Sequence, residues 1–220
     1  MSSYYSKTLN AEKLELCYEI APQRVQQYLQ EEINYVLERV SATDIVLDLG
    51  CGYGRIIPQL KQKARSVVGI DISLNNLIYG LPNVYNCNVS NMNAINLGFR
   101  DHVFDLVICI QNGISAFQVN KRRLIQETIR ITKPGGKIFY STYSDKFWKH
   151  RFNWFELQSE VGLLGEINYQ KSKDGKIICK DGFKATTITP KRFLSIVKGL
   201  SIDVKISEID ESSLFYEISA

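Results

Sequence analysis

The chain has 220 residues, 45% hydrophobic and 23% charged, with 14 glycines and 5 prolines; this globular composition excludes a disordered tail or a collagen-like repeat. A formal charge of +4, from 27 basic and 23 acidic side chains, is mild, and no basic run exceeds three residues, so charge makes no case for a nucleic-acid binder. The length suits one domain, or one domain with an insertion, and the longest apolar runs, such as 106–110, are too short to span a bilayer.

The opening stretch, MSSYYSKTLNAEKLEL, lacks the apolar core of a secretory signal, so the expected location is the cytoplasm. Cys17, Cys51, Cys87, Cys109 and Cys179 are widely spaced with no CxxC, and His102 and His150 are the only histidines. That pattern predicts no metal site and reads as thiols kept reduced.

The first forty residues read as helical, with Val25, Leu29, Ile33, Val36, Leu37 and Val40 at three- and four-residue spacing and Pro22 restarting the helix. Residues 44–49 (DIVLDL) form a β-branched run ending in glycines, followed by a helical segment at 56–64. A second strand is predicted at 66–71 (SVVGID), with Ser73 capping a helix to Tyr79. A weaker strand falls at 84–88, a strong one at 104–110 (FDLVICI), and a helix at 121–132 stops before Pro134-Gly135-Gly136. Residues 137–143 read as strand. From 145 to 185 the chain turns aromatic and charged, with Lys173-Asp174-Gly175-Lys176 as a hairpin turn. Thr189-Pro190 opens a last helix to Lys198, and strands at 202–207 and 214–219 close the chain.

Strands that are continuous apolar runs, alternating with helices, predict an α/β fold: a doubly wound, mostly parallel sheet with helices on both faces. A single domain is expected, with an N-terminal helical cap at 1–43, a ligand-binding core at 44–144, an inserted substrate-side region at 145–185, and a closing helix with antiparallel strands at 186–220.

In such sheets ligands bind beyond the carboxyl ends of strands, where the strand order reverses. The first strand ends here in Asp48-Leu49-Gly50-Cys51-Gly52-Tyr53-Gly54. Alternate glycines let the backbone turn sharply against a ligand, and the following helix start offers N–H groups to a carboxylate or phosphate. Asp71 closes the second strand about twenty residues on, where a carboxylate can accept from both hydroxyls of a ribose. The dinucleotide fingerprint G-x-G-x-x-G would need its third glycine at Arg55, which disfavours an NAD enzyme.

VLDLGCGYGR, GIDIS, FDLVICI and ITKPGGKIFYS, in that order, resemble the class I S-adenosylmethionine (SAM)-dependent methyltransferases over residues 44–144. The resemblance implies a seven-stranded Rossmann-like sheet and SAM as cofactor. It implies that Gly50, Cys51, Gly52 and Gly54 hold the methionine part, with Asp48 near its amino group, Asp71 on the ribose and Ile72 on adenine. Asn93 stands where the family usually has an aspartate for the adenine amino group, with Asn91 and Met92 as rival candidates; Ile110 and Gln111 would flank the methionine and the transferred methyl. The alternatives are a structural turn for the glycines, a helix cap for Asp71 and an ordinary turn residue for Asn93.

Methyl transfer from a sulfonium needs alignment more than a general base. The sequence offers no catalytic dyad, and no catalytic residue is assigned. Residues 147–155 pack five aromatics into one stretch, with Phe147, Trp148, Arg151, Phe152 and Phe155 on one helical face. They read either as a packing face or as a substrate wall. Asn112, Trp148, His150, Arg24 and Tyr28 are the candidate acceptor contacts, against a surface reading for His150, Arg24 and Tyr28. The expected activity is methyl transfer to a small-molecule acceptor, by a monomer or homodimer with no nucleic-acid or membrane partner. The rivals are a methyltransferase acting on RNA or protein and a non-catalytic SAM-binding protein.

Overall fold

The structure is a computed structural model describing Tyr4, residues 8–82 and residues 84–220. Two helices come first, α1 (Glu12–Glu19) and α2 (Gln23–Leu37), with Pro22 directly ahead of α2. The alternating core follows: β1 (Ile45–Leu49), α3 (Ile57–Lys61), β2 (Ser66–Asp71), α4 (Leu74–Gly80), β3 (Asn88–Asn91), β4 (Phe104–Cys109), α5 (Gly113–Ala116), α6 (Lys121–Ile131) and β5 (Thr132–Tyr143). Helix α7 (Trp148–Glu160) and a two-residue pair, β6 (Ile177–Ile178) and β7 (Lys184–Ala185), precede α8 (Pro190–Val197), β8 (Asp203–Ile209) and β9 (Ser213–Ser219).

The seven-stranded sheet has the order β3-β2-β1-β4-β5-β9-β8, parallel from β3 to β5, with β9 antiparallel between β5 and β8. The order reverses between β1 and β4, so the crevice lies at their carboxyl ends. Alternate strand residues serve opposite faces. Leu47 and Val107 pack under α6 and α8 with Leu124, Ile125 and Phe193, while Val46 and Leu106 pack under α2 and α3 with Ile33, Val36 and Ile57. A third cluster lies beyond the sheet, where Val25 and Tyr28 of α2 meet Phe147, Trp154, Phe155 and Phe183. It sets helices α1, α2 and α7 over the strand ends.

Three expected boundaries move, each for a local reason. The third strand begins at Asn88, because Val84 is drawn into a turn (Cys87 N–H to Val84 O, 2.8 Å) and buried against the β1 loop. Pro134-Gly135-Gly136 does not precede β5 but bulges within it. The pairing jumps from Phe104↔Thr132 to Leu106↔Lys137, and Gly135, at φ 79°, donates to Ala220 O. The turn at Asp174 (φ 53°) and Gly175 (φ 73°) joins only an isolated Ile167↔Cys179 bridge, and the β6–β7 pair closes around 179–183 instead. Among the described residues no helix is long and apolar enough to cross a membrane.

Candidate functional site

The turn after β1 is stitched to β2 by backbone: Gly50 and Cys51 N–H both donate to Ile70 O, at 2.8 and 2.9 Å. Gly50 sits at φ 87°, and a Cβ there would lie 2.5 Å from Cζ of Phe117. Gly54, at φ 80°, is closed off by Val84, whose Cγ1 would stand 2.2 Å from a Cβ. Asp71, the last residue of β2, accepts from Gly52 N–H at 3.0 Å, from Ser73 N–H at 2.7 Å and from Asn76 Nδ2 at 3.4 Å. Burial raises its pKa, and these hydrogen bonds oppose the rise. An ionised carboxylate has about four lone-pair sites, so one stays open to a ribose hydroxyl, and a second hydroxyl would take the place of the long 3.4 Å bond from Asn76.

Asp48 is 3% exposed, and its Oδ2 has no hydrogen-bond partner among the described residues. Burial, and then the Asp71 charge, push its pKa up to about 7 against the pull of Arg55. The Arg55 guanidinium stacks 4.7 Å over the ring of Tyr18 from α1, with its Nη2 also buried and unpartnered.

Beyond β4, Gln111 (φ 56°) and Asn112 (φ 62°) are consecutive left-handed residues, a conformation that non-glycine residues rarely hold. Each is pinned. Glu32 of α2 accepts from Gln111 N–H at 2.8 Å and from the Ser213 hydroxyl at 2.7 Å; Asn112 donates to Thr186 O and accepts from the Thr142 hydroxyl. Glu32 is fully buried, and burial lifts its pKa to about 7 although both donors hold it down. The Tyr18 hydroxyl donates to Gln111 Oε1 at 3.1 Å, and Gln111 Nε2 is buried without a partner among the described residues.

Helix α1 roofs the groove. Ala11 N–H donates to Asn76 Oδ1 at 2.7 Å, the Tyr79 hydroxyl donates to Glu15, and Leu14 lies 3.3 Å from where a Gly52 Cβ would be. Trp154 Nε1–H donates to Cys17 O at 2.8 Å, tying α7 to α1. The enclosed space is about 160 Å³, below the roughly 300–1,000 Å³ of ordinary ligand sites.

Of the residues singled out from sequence, Asp48, Gly50, Cys51, Gly52, Asp71, Ile72, Ile110, Gln111 and Asn112 line this one groove. Gly54 packs behind it. Asn91 and Met92 both bond to Asp71 O just outside, through Asn91 Nδ2 and Met92 N–H, and the Asn93 oxygen accepts from Ile95 N–H. Arg24 pairs with Asp210 and stacks on Phe147, Tyr28 is buried between Tyr143 and Phe147, and Trp148 and His150 face a separate shallow groove on the outside of α7. A groove holding a spare carboxylate oxygen, a spare guanidinium nitrogen and a diol acceptor fits the zwitterionic and ribose ends of SAM.

Residues 46–136 match the family model for a methyltransferase domain. A tRNA (guanine-N(7)-)-methyltransferase of Clostridium novyi is 30% identical over 50% of this chain and 58% of its own length. A ubiquinone biosynthesis O-methyltransferase of Pseudomonas fluorescens is 30% identical over 50% of this chain and 49% of its own. The chain thus spans about half to three-fifths of these curated relatives. The crystal structure of a SAM-dependent methyltransferase from Methanosarcina mazei shares the fold, with TM-score 0.62 and 18% identity over 84% of this chain and 96% of that one. Residues 46–136 therefore belong to the methyltransferase domain family, on a chain with the fold of the SAM-dependent methyltransferases.

This methyltransferase uses SAM as its cofactor, and it places residues at the groove that sequence reading passed over. In the sequence Arg55 stands out only as the residue where a third glycine would fall. Glu32 carried a signal: with Val25, Tyr28, Leu29, Ile33 and Val36 it shares the buried face of α2, and a lone carboxylate on an apolar stripe must answer to a polar group inside. Tyr18, Asn76 and Phe117 gave none, since each reaches the groove only through tertiary packing.

Proposed function

We propose that the methyltransferase transfers the cofactor's methyl group by in-line displacement to a small-molecule acceptor held under the α1–α7 roof. When bound, SAM supplies an electrophilic methyl on a cationic sulfur; the chain's own residues align the partners and exclude water. Asp48 receives the amino group, the turn of Gly50, Cys51, Gly52 and Gly54 carries the methionine part, and Asp71 accepts the ribose hydroxyls. Ile72, 51% exposed beside the end of β2, offers its face to adenine, with Asn91, Met92 and Asn93 along the same edge. Ile110 and Gln111 stand beside the methyl.

The roof carries the acceptor reading. Past the glycine turn the wall is Cys17, Tyr18, Tyr143, Trp154, Phe155 and Gln158, an aromatic chamber with no charged side chain among those six and a cover pinned by the Trp154–Cys17 hydrogen bond. Such a chamber suits a small, largely apolar acceptor better than a polymer strand. Two basic residues of α6 are committed internally: Arg122 to Ile196 O and Lys198 O, Arg130 to Glu127 and Asp101. Five free cysteines, four of them buried, support a reducing, cytoplasmic setting.

The test is transfer from methyl-labelled SAM to fractionated cell extract. Label in the small-molecule fraction is expected. Label confined to RNA or protein overturns the acceptor class, and intact cofactor binding without any transfer favours a binding protein.

A further inference from the structure

Arg55 and Asp48 face one groove with opposite charge, yet no ion pair joins them, and Arg55 Nη2 and Asp48 Oδ2 are each buried without a hydrogen-bond partner among the described residues. An orphaned buried charge is costly, and two of opposite sign on one cavity are complementary to a ligand end that carries both signs close together. Among the residues lining the groove Arg55 alone is a cation. Four N–H groups of the glycine turn are already committed. The N–H groups of Gly50 and Cys51 are spent on Ile70 O, that of Gly52 on Asp71 and that of Gly54 on Cys51 O, while α3 is only five residues long. The Tyr18 ring fixes the guanidinium plane from one side and leaves Nη2 for the ligand.

We propose that Arg55 binds the α-carboxylate of the cofactor's amino-acid end, opposite Asp48, and so selects adenosyl sulfoniums and thioethers that keep that carboxylate. This rests on the assignment of the groove to SAM. Because Tyr18 belongs to α1, the carboxylate seat is complete only with α1 docked.

Titration calorimetry of the full chain with S-adenosylhomocysteine and with 5′-methylthioadenosine, which lacks the amino-acid end, separates the possibilities. Arg55→Gln is expected to weaken S-adenosylhomocysteine by about 10- to 100-fold, the range for a charge-assisted hydrogen bond, and to leave 5′-methylthioadenosine within about twofold. Arg55→Lys, a point charge without the fork, should fall between wild type and Arg55→Gln for the first ligand only. Equal losses on both ligands would make Arg55 a structural residue and overturn the proposal, as would an unchanged affinity for S-adenosylhomocysteine. Wild-type protein that bound neither ligand would overturn the groove assignment itself.

Discussion

Asp71 meets two demands at once: its oxygens anchor the glycine turn through Gly52 N–H and the start of α4 through Ser73 N–H, and the same carboxylate faces the groove. Asp71→Asn keeps the volume but gives up one acceptor oxygen and the charge. Affinity for S-adenosylhomocysteine should fall on the order of 100-fold, since two hydroxyl-to-carboxylate hydrogen bonds at about 1.5–3 kcal/mol each are weakened or lost. Calorimetry checks this, and an affinity within threefold of wild type would remove Asp71 from the ribose site. Asp71 was legible because its position follows from where a strand ends. The adenine contact was not, because Asn91, Met92 and Asn93 differ only in local turn geometry, and that geometry spends the Asn93 oxygen on Ile95 N–H. The surroundings of Arg24 and Tyr28 were hidden for a related reason. Helical spacing shows that they share a face, but not that Asp210 and Phe147 cover it.

Among the elements, β1, β2 and β4 were legible because a strand buried on both faces must be a continuous apolar run. Strand β3 was legible only as a weak strand at 84–88, displaced from its true place: it lies at the sheet edge, its NVSN sequence is polar, and only pairing with β2 makes it a strand. Nor does periodicity show that α1 lies over the groove, since its position depends on contacts to Asn76, Tyr79 and Trp154 made 65, 64 and 137 residues away. Two of those three bonds lie at or near the surface, so α1 is the element expected to open for ligand entry. Tyr79→Phe removes the bond to Glu15 and should speed exchange of the α1 amides by several-fold in the free protein. Saturation with S-adenosylhomocysteine should slow α1 exchange in wild type and variant alike. Hydrogen exchange by mass spectrometry gives both readings, and α1 amides as protected as those of β4 without ligand would show that the roof does not open.

For the whole molecule, three acidic side chains gathered at one end of the sheet make stability depend on pH. Burial raises the pKa of Asp48 and Glu32 to about 7, and that of Asp71 above its ordinary value. An unfolded carboxylate titrates near 4, so between about pH 4 and 7 the folded chain binds more protons than the unfolded one. Stability then falls as pH rises through that window, by up to about 1.4 kcal/mol per pH unit for Asp48 and for Glu32, with Asp71 adding in the same direction, and the loss from the first two levels off above 7. Carboxylates whose pKa is lowered, such as Asp105, Glu127 and Glu208, act in the opposite sense but below their ordinary range, and so keep the optimum close to that range. The ligand-free methyltransferase should accordingly melt higher at pH 5 than at pH 8. A bound ammonium beside Asp48 favours its ionised form and cancels that share of the slope. The rise in melting temperature given by a fixed excess of S-adenosylhomocysteine should therefore be larger at pH 8 than at pH 5. Glu32→Gln should flatten the ligand-free profile without abolishing this ligand-dependent difference. Calorimetric melts from pH 5 to 8 decide the matter: a ligand-free melting temperature that climbed across that range would mean the three carboxyls are ionised in the folded chain and are compensated by groups other than a bound cofactor.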